Sequence, residues 1–276
     1  MKRIDAHQHF WRLAERAGAW PPPQLAAIYR DFYPEDLGAL LHRHGVAATV
    51  LVQSMPNEAD THFMLDLSER YSFIGAVVGW TDLKAPDAPQ RIAALAAHPR
   101  LRGLRPMLQD LDDDRWIADP VLAPAVAAML RHGLCFDALV LPRHLPSLLE
   151  FARNHPQLSI VIDHLAKPIM QDGPETSWLE NMARLAAQPQ VHCKLSGMVT
   201  EAGPGWTVEQ LRPYAGHILE VFGPGRVLWG SDWPVLNLAA DYGAWCDATG
   251  ELLAHLDDAQ REAVLSLNAQ RFYRMA

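Results

Sequence analysis

The chain has 276 residues, 49% of them hydrophobic and 20% charged, with a net charge of −8. These figures suit a soluble globular protein with a substantial core. The acidic balance argues against a nucleic-acid partner, which calls for a basic face, and no polybasic block or long apolar run points to a membrane.

The chain enters a strand at once, residues 3–9, with no signal-peptide pattern before it. Within it, Ile4-Asp5-Ala6-His7-Gln8-His9 places two histidines one residue apart, so both side chains share a face. The connection at 10–33 holds Pro21-Pro22-Pro23 and no periodicity, which reads as a lid or binding loop. A helix at 34–44 opens on proline and stops at Gly45. Strands at 48–53, 73–80, 101–105, 134–139, 159–164, 191–196 and 227–232 follow, mostly short apolar runs without strict alternation, as in a parallel sheet buried on both faces. Helices with apolar residues three and four apart fall at 60–70, 89–98, 119–132, 145–155, 178–188 and 208–222, and the tail at 257–275 reads as one more.

Eight strands, each followed by a helix, predict a single-domain (β/α)8 TIM barrel over residues 1–276. A doubly wound open sheet would usually place a glycine-rich phosphate loop after the first strand; Gln8-His9-Phe10-Trp11 stands there instead. Three cysteines, Cys135, Cys193 and Cys246, lack disulfide or zinc-ribbon spacing and fit a reducing compartment, so a cytoplasmic location is expected.

In a barrel the active site lies at the C-terminal ends of the strands. His7, His9, Gln53, Trp80, Arg105, Asp137, His164, Lys194 and Asp232 all fall at or near such ends. Three imidazoles and one carboxylate, His7, His9, His164 and Asp232, suit one divalent metal such as zinc with a position left for water. Asp232, in Gly230-Ser231-Asp232-Trp233-Pro234, is the expected general base and acid; its bland alternative is a cap for the next helix. Lys194 and Arg105 could polarise an ester carbonyl, or else pair with Asp137 or Asp163. Trp11, Trp80 and Trp233 could wall a sugar ring, with Gln53 and Asp137 bonding its hydroxyls. His192 is read as structural, the nine remaining histidines as surface residues, and the acidic run at 110–114 as a solvated loop.

The motifs Asp5-Ala6-His7-Gln8-His9-Phe10-Trp11, Gly103-Leu104-Arg105-Pro106, Asp163-His164-Leu165-Ala166-Lys167-Pro168, Lys194-Leu195-Ser196-Gly197 and Gly230-Ser231-Asp232-Trp233-Pro234 together resemble the sugar-acid lactonase branch of the amidohydrolase superfamily, in which L-fuconolactonase and L-rhamnonolactonase lie. The resemblance runs to Asn268-Ala269-Gln270-Arg271-Phe272-Tyr273. It implies a barrel with His7, His9, His164 and Asp232 at its mouth, and a small-molecule substrate such as an aldonolactone of L-fucose catabolism. Binuclear relatives carry a carbamylated lysine or a glutamate at a middle strand; none is legible here, so a bridged two-metal centre is not expected. Some members of the branch work without a metal, so the zinc could be dispensable. The alternatives on the same scaffold are a metal-dependent decarboxylase drawing on Arg105, Arg143, Lys167 and Lys194, an amide hydrolase, a pyrone-type carboxylated-lactone hydrolase, and a catalytically inactive sugar-binding barrel. The sequence leaves the oligomeric state open.

Overall fold

The computed structural model describes residues 2–16 and 18–275. Eight parallel strands, β1 (Arg3–Gln8), β2 (Val46–Val52), β3 (Ile74–Gly79), β4 (Leu101–Leu104), β5 (Cys135–Ala138), β6 (Ile160–Ile162), β7 (Val191–Leu195) and β8 (Val227–Trp229), pair in chain order. Every residue of β3, β5, β6 and β8 is buried, which is why these segments read as apolar runs rather than alternations. Helices α1 (Pro34–Arg43), α2 (Glu58–Arg70), α3 (Ala88–Ala96), α4 (Ala123–His132), α5 (Leu145–Asn154), α6 (Thr176–Ala186), α7 (Met198–Ala202) and α8 (Val208–Phe222) lie between the strands. After β8 come α9 (Tyr242–Leu252), α10 (Asp258–Glu262) and α11 (Asn268–Phe272). All eight expected strands are present, and the fold is the expected (β/α)8 barrel. Among the described residues no helix is long and apolar enough to cross a membrane.

The barrel closes between β1 and β8 just beyond their ends. Asp232 N donates to His7 O and His9 N donates to Trp233 O, both at 2.8 Å. The seam that completes the sheet is therefore built from the backbone of the residues expected to do chemistry.

Inside the barrel, Ile4, Ala6, Val50, Val52, Ala76, Val78, Cys135, Val161 and Leu228 pack against Phe272, Tyr273 and Met275. The C-terminal segment thus closes the floor, opposite the end where the site lies. Two helical expectations need correction. Helix α9 was not foreseen, because Gly243 and Gly250 lower its helix propensity; Tyr242, Trp245, Cys246, Thr249 and Leu252, all buried and three or four residues apart, were the available signal. The tail is not one uniform helix, since a wide π turn at Ala263–Leu267 separates α10 from α11.

Candidate active site

His7 and His9 point the same way, into the barrel mouth, as their spacing predicts. On β1 the interval from Asp5 to Gln8 faces only the interval from Thr49 to Leu51 on β2, so β1 carries one extra residue. The extra residue lets Ala6 join the interior cluster while His7 and His9 also face inward. The two Nε2 atoms lie 3.2 Å apart. His9 Nδ1 lies 2.7 Å from Val52 O, an acceptor only, so Nδ1 carries the proton and Nε2 presents a lone pair.

Asp232 completes the group. Its Oδ1 lies 3.3 Å from His9 Nε2, 3.7 Å from His7 Nε2 and 3.8 Å from His164 Nε2. Its φ is 60°, in the left-handed region that aspartate tolerates better than most residues, and the seam hydrogen bond from its amide holds it there. Behind it, buried Asp5 accepts from Ser231 N (2.8 Å), His7 N (3.2 Å) and the Tyr242 hydroxyl (3.0 Å), tying β1, the loop after β8 and α9 together.

His164 arrives by a strained route. His164, Leu165, Ala166 and Lys167 all have positive φ, between 50° and 61°. Each such residue costs about 1–2 kcal/mol. Burial of residues 163–166 and a bond from Trp178 Nε1 to Leu165 O (2.9 Å) hold the turn. It places His164 Nδ1 2.9 Å from Ser196 Oγ and Nε2 toward Asp232. Backbone strain that packing over-determines in this way is typical of functional sites.

Below His7 lies a buried charge network. Lys194 Nζ is 2.6 Å from Asp137 Oδ2, 2.9 Å from Asp163 Oδ1 and 3.0 Å from His7 Nδ1. Arg105 Nη1 donates to Asp163 Oδ2 at 3.2 Å, and its Nη2 donates to Gln53 O. Two cations thus face two carboxylates with no exposed surface on either acid.

Burial disfavours charge on His164 and pushes it down to about 4; burial and the neighbouring Lys194 ammonium push His7 well below the usual imidazole range. Both rings are neutral at pH 7. Burial resists ionisation of Asp232, but the surrounding imidazoles of His164, His9 and His7 outweigh it and hold the carboxyl far below the ordinary range. Burial opposes charge on Lys194 too, yet Asp137 and Asp163 raise it and keep it an ammonium. The centre therefore holds an ionised carboxylate beside the neutral rings of His7 and His164.

Asp232, His9, His164 and Arg105 line a cavity of about 400 Å³, with Trp20, Ser54, Met107, Gln109, Asp110, Leu139, Lys167, Thr200, Val235 and Leu238. The expected convergence of His7, His9, His164, Arg105 and Asp232 is present. The substrate-contact expectations need correction. Lys194 has no exposed surface and sits beneath His7, so it acts on the imidazole and not on a carbonyl. Asp137 is bound to Lys194 and Tyr273, and Gln53 donates to Arg105 O at 2.7 Å. Trp11 packs edge-on against Phe32 and Trp20, and Trp233 against Phe10 and Phe32. None of these five, nor Trp80, lines the cavity. The wall tryptophan is Trp20, from the long first loop. His144, expected at the surface, is buried, with Nδ1 accepting from Leu141 N. Asp163 and Tyr273 were not singled out for the site; the period of two from Val161 to Asp163, on an inward-facing strand, was the signal for the first.

A family model described as amidohydrolase matches residues 4–275. An L-fucono-1,5-lactonase from Burkholderia ambifaria is 56% identical over 99% of this chain and 96% of its own length. A second L-fucono-1,5-lactonase, from Burkholderia multivorans, is 36% identical over 99% of this chain and 96% of its own. A crystal structure of an amidohydrolase from Burkholderia multivorans with bound zinc superposes with a TM-score of 0.93 at 35% identity, covering all of both chains.

Proposed function

The chain belongs to the amidohydrolase family, and on that premise we propose that it is a lactonase opening a sugar-acid lactone, L-fucono-1,5-lactone or a close relative, to the free acid. The observation that carries the chemistry is the convergence of His7, His9 and His164 on Asp232 Oδ1 at the foot of one cavity. The lactonase relatives, 56% and 36% identical over nearly the whole chain, carry the substrate.

Asp232, ionised and facing the cavity, accepts a proton from water as the water oxygen bonds to the lactone carbonyl carbon. Arg105, held by Asp163 and Gln53, stands at the cavity wall with its Nε lacking a partner among the described residues, and stabilises the charge that grows on the carbonyl oxygen. The bond from carbonyl carbon to ring oxygen then breaks, and Asp232 returns its proton to that oxygen. The product is a hydroxy acid, which ionises and acidifies the medium. Thr200 Oγ1, buried at the cavity wall without a partner among the described residues, is suited to a sugar hydroxyl.

The donor set fits a divalent ion. Ligand atoms around a tetrahedral zinc with bonds of about 2.0–2.1 Å lie roughly 3.3 Å apart, close to the 3.2 Å and 3.3 Å from His9 Nε2 to His7 Nε2 and Asp232 Oδ1. His7, His9 and Asp232 would hold it, with His164 Nε2 3.8 Å from Asp232 Oδ1 as a fourth donor, and when bound it would acidify water and polarise the carbonyl. With no ion bound, Lys194 donates to His7 Nδ1, which leaves the His7 proton on Nε2, directed to the His9 Nε2 lone pair at 3.2 Å beside Asp232. The acid–base role of Asp232 therefore stands on protein groups alone, and the ion is expected to be dispensable.

The decarboxylase alternative is not favoured. It needs an enclosed cationic pocket, yet Lys194 is sealed beneath His7, Arg143 pairs with Asp114 at 2.7 Å, and only Arg105 and Lys167 of that set face the cavity. The deciding experiment is a pH-indicator assay over a panel of sugar lactones and aromatic acids, with native, chelator-treated and zinc-supplemented enzyme. Rapid acid release from L-fucono-1,5-lactone in all three is expected; no lactone releasing acid above background would contradict the proposal.

A further inference from the structure

The hydrolytic scheme leaves the polar group at the barrel floor unused. Tyr273 is 1% exposed, and its ring packs in the floor cluster with Phe272 and Met275. Its hydroxyl does not pair with the floor. It reaches up the barrel axis and donates to Asp137 Oδ2 at 2.7 Å. The same oxygen accepts from Lys194 at 2.6 Å, and Lys194 donates to His7 Nδ1 at 3.0 Å.

We infer that Tyr273 is a positioning residue for the hydrolytic centre, acting from the opposite end of the barrel through Asp137 and Lys194 on the imidazole of His7. This rests on the lactonase reading for its kinetic consequence.

An ammonium has three donors, and Lys194 donates to buried Asp137 and His7 and forms an ion pair with buried Asp163, all within 3.0 Å. Its four-carbon stem is flexible, so the direction of the N–H aimed at His7 depends on where the other two acceptors sit. Asp163 is fixed by Arg105. Asp137 Oδ2 is fixed by the Tyr273 hydroxyl. Without that hydroxyl the Asp137 carboxylate can rotate on its side chain, Lys194 follows, and the His7 proton is no longer held on Nε2 facing His9 Nε2 beside Asp232. Groups that orient a metal-ligating histidine from behind are worth about 10–100-fold in metal affinity or activity.

The test is Tyr273→Phe, which keeps the ring that stands 5.5 Å from the Lys194 ammonium and removes only the hydroxyl. We expect kcat on L-fucono-1,5-lactone to fall about tenfold, with KM within about twofold and a melting temperature lowered by only a few degrees. Asp137→Asn should lower kcat by a similar factor, and the double variant should be no worse than Asp137→Asn alone, because both act on one path. Met275→Leu, an apolar exchange in the same floor, should leave kcat unaltered. Side-chain 15N spectra of histidine give a readout independent of turnover: the His7 Nδ1 signal should move in Tyr273→Phe. An unmoved signal, or a kcat loss matched by Met275→Leu, would overturn the inference. Native enzyme that hydrolyses no lactone would instead sink the functional reading, and the 15N comparison would still decide this one.

Discussion

In the proposed scheme Asp232 can act as a base because His7 and His164 beside it are denied a proton. Were His7 or His164 charged, the carboxylate would be neutralised as a base by an ion pair; burial keeps both rings neutral at pH 7. The acid limb of the rate profile should accordingly fall as pH drops toward about 4, where His164 takes up its proton, and a pH–kcat series would show it. At the cavity wall, Trp20 offers an indole face 36% exposed, next to the polar Ser54, Gln109 and Thr200. Trp20→Ala should raise KM several-fold with little change in kcat, whereas Trp11→Phe should alter stability and not KM. Steady-state kinetics of the two variants checks both. The sequence named His7, His9, His164, Arg105 and Asp232, since each sits where a strand ends. It misassigned the tryptophans. Trp11 and Trp233 also follow strand ends, but a large apolar ring there is as readily used to pack the loops, and only the fold of the 10–33 connection decides that Trp20 faces the cavity.

At the scale of elements, two glycines let the strand ends approach. Gly197, just after β7, has φ +66°, and a Cβ there would lie 2.6 Å from His164 Nδ1. Gly230 after β8 would place a Cβ 2.8 Å from His7 Cβ. Gly197→Ala should destabilise the protein by about 1–3 kcal/mol, from left-handed strain and collision together. It should also reduce kcat by displacing His164 from Ser196. Chemical denaturation and kinetics on the same preparation separate the two effects. The strands were legible because burial on both faces writes itself as apolar runs. The left-handed turn at His164–Lys167 was not, because none of its four residues is a glycine; it is imposed by packing under Trp178. The extra residue in β1 was equally hidden, as a bulge leaves no mark in composition.

The whole molecule couples its two ends. The barrel seam runs through His7, His9 and Asp232, and the floor is closed by the C-terminal segment whose Tyr273 reaches back toward His7. Part of the floor is His192, whose ring lies 4.8 Å from that of Phe272 and which burial pushes down to about 4. An unfolded histidine titrates near 6.5. Between those values the unfolded chain binds a proton that the folded chain does not, so this residue withdraws stability as pH falls from 6.5 through 4 and contributes nothing above 6.5. His192→Gln should therefore flatten the decline in melting temperature across that interval while leaving activity at pH 7 intact; thermal melts from pH 4.5 to 7 measure it. Asp5, raised by burial to about 6 against an ordinary 3.8, has the opposite slope, losing stability as pH rises through that window. The central claim is that residues separated by more than two hundred positions form one hydrolytic centre with Asp232 as its base. Turnover of L-fucono-1,5-lactone by Asp232→Asn in a pH-stat tests it most directly. A loss of about 10²–10⁴-fold in kcat, with the melting temperature of a folded protein, is expected; near-native turnover would contradict the role given to Asp232.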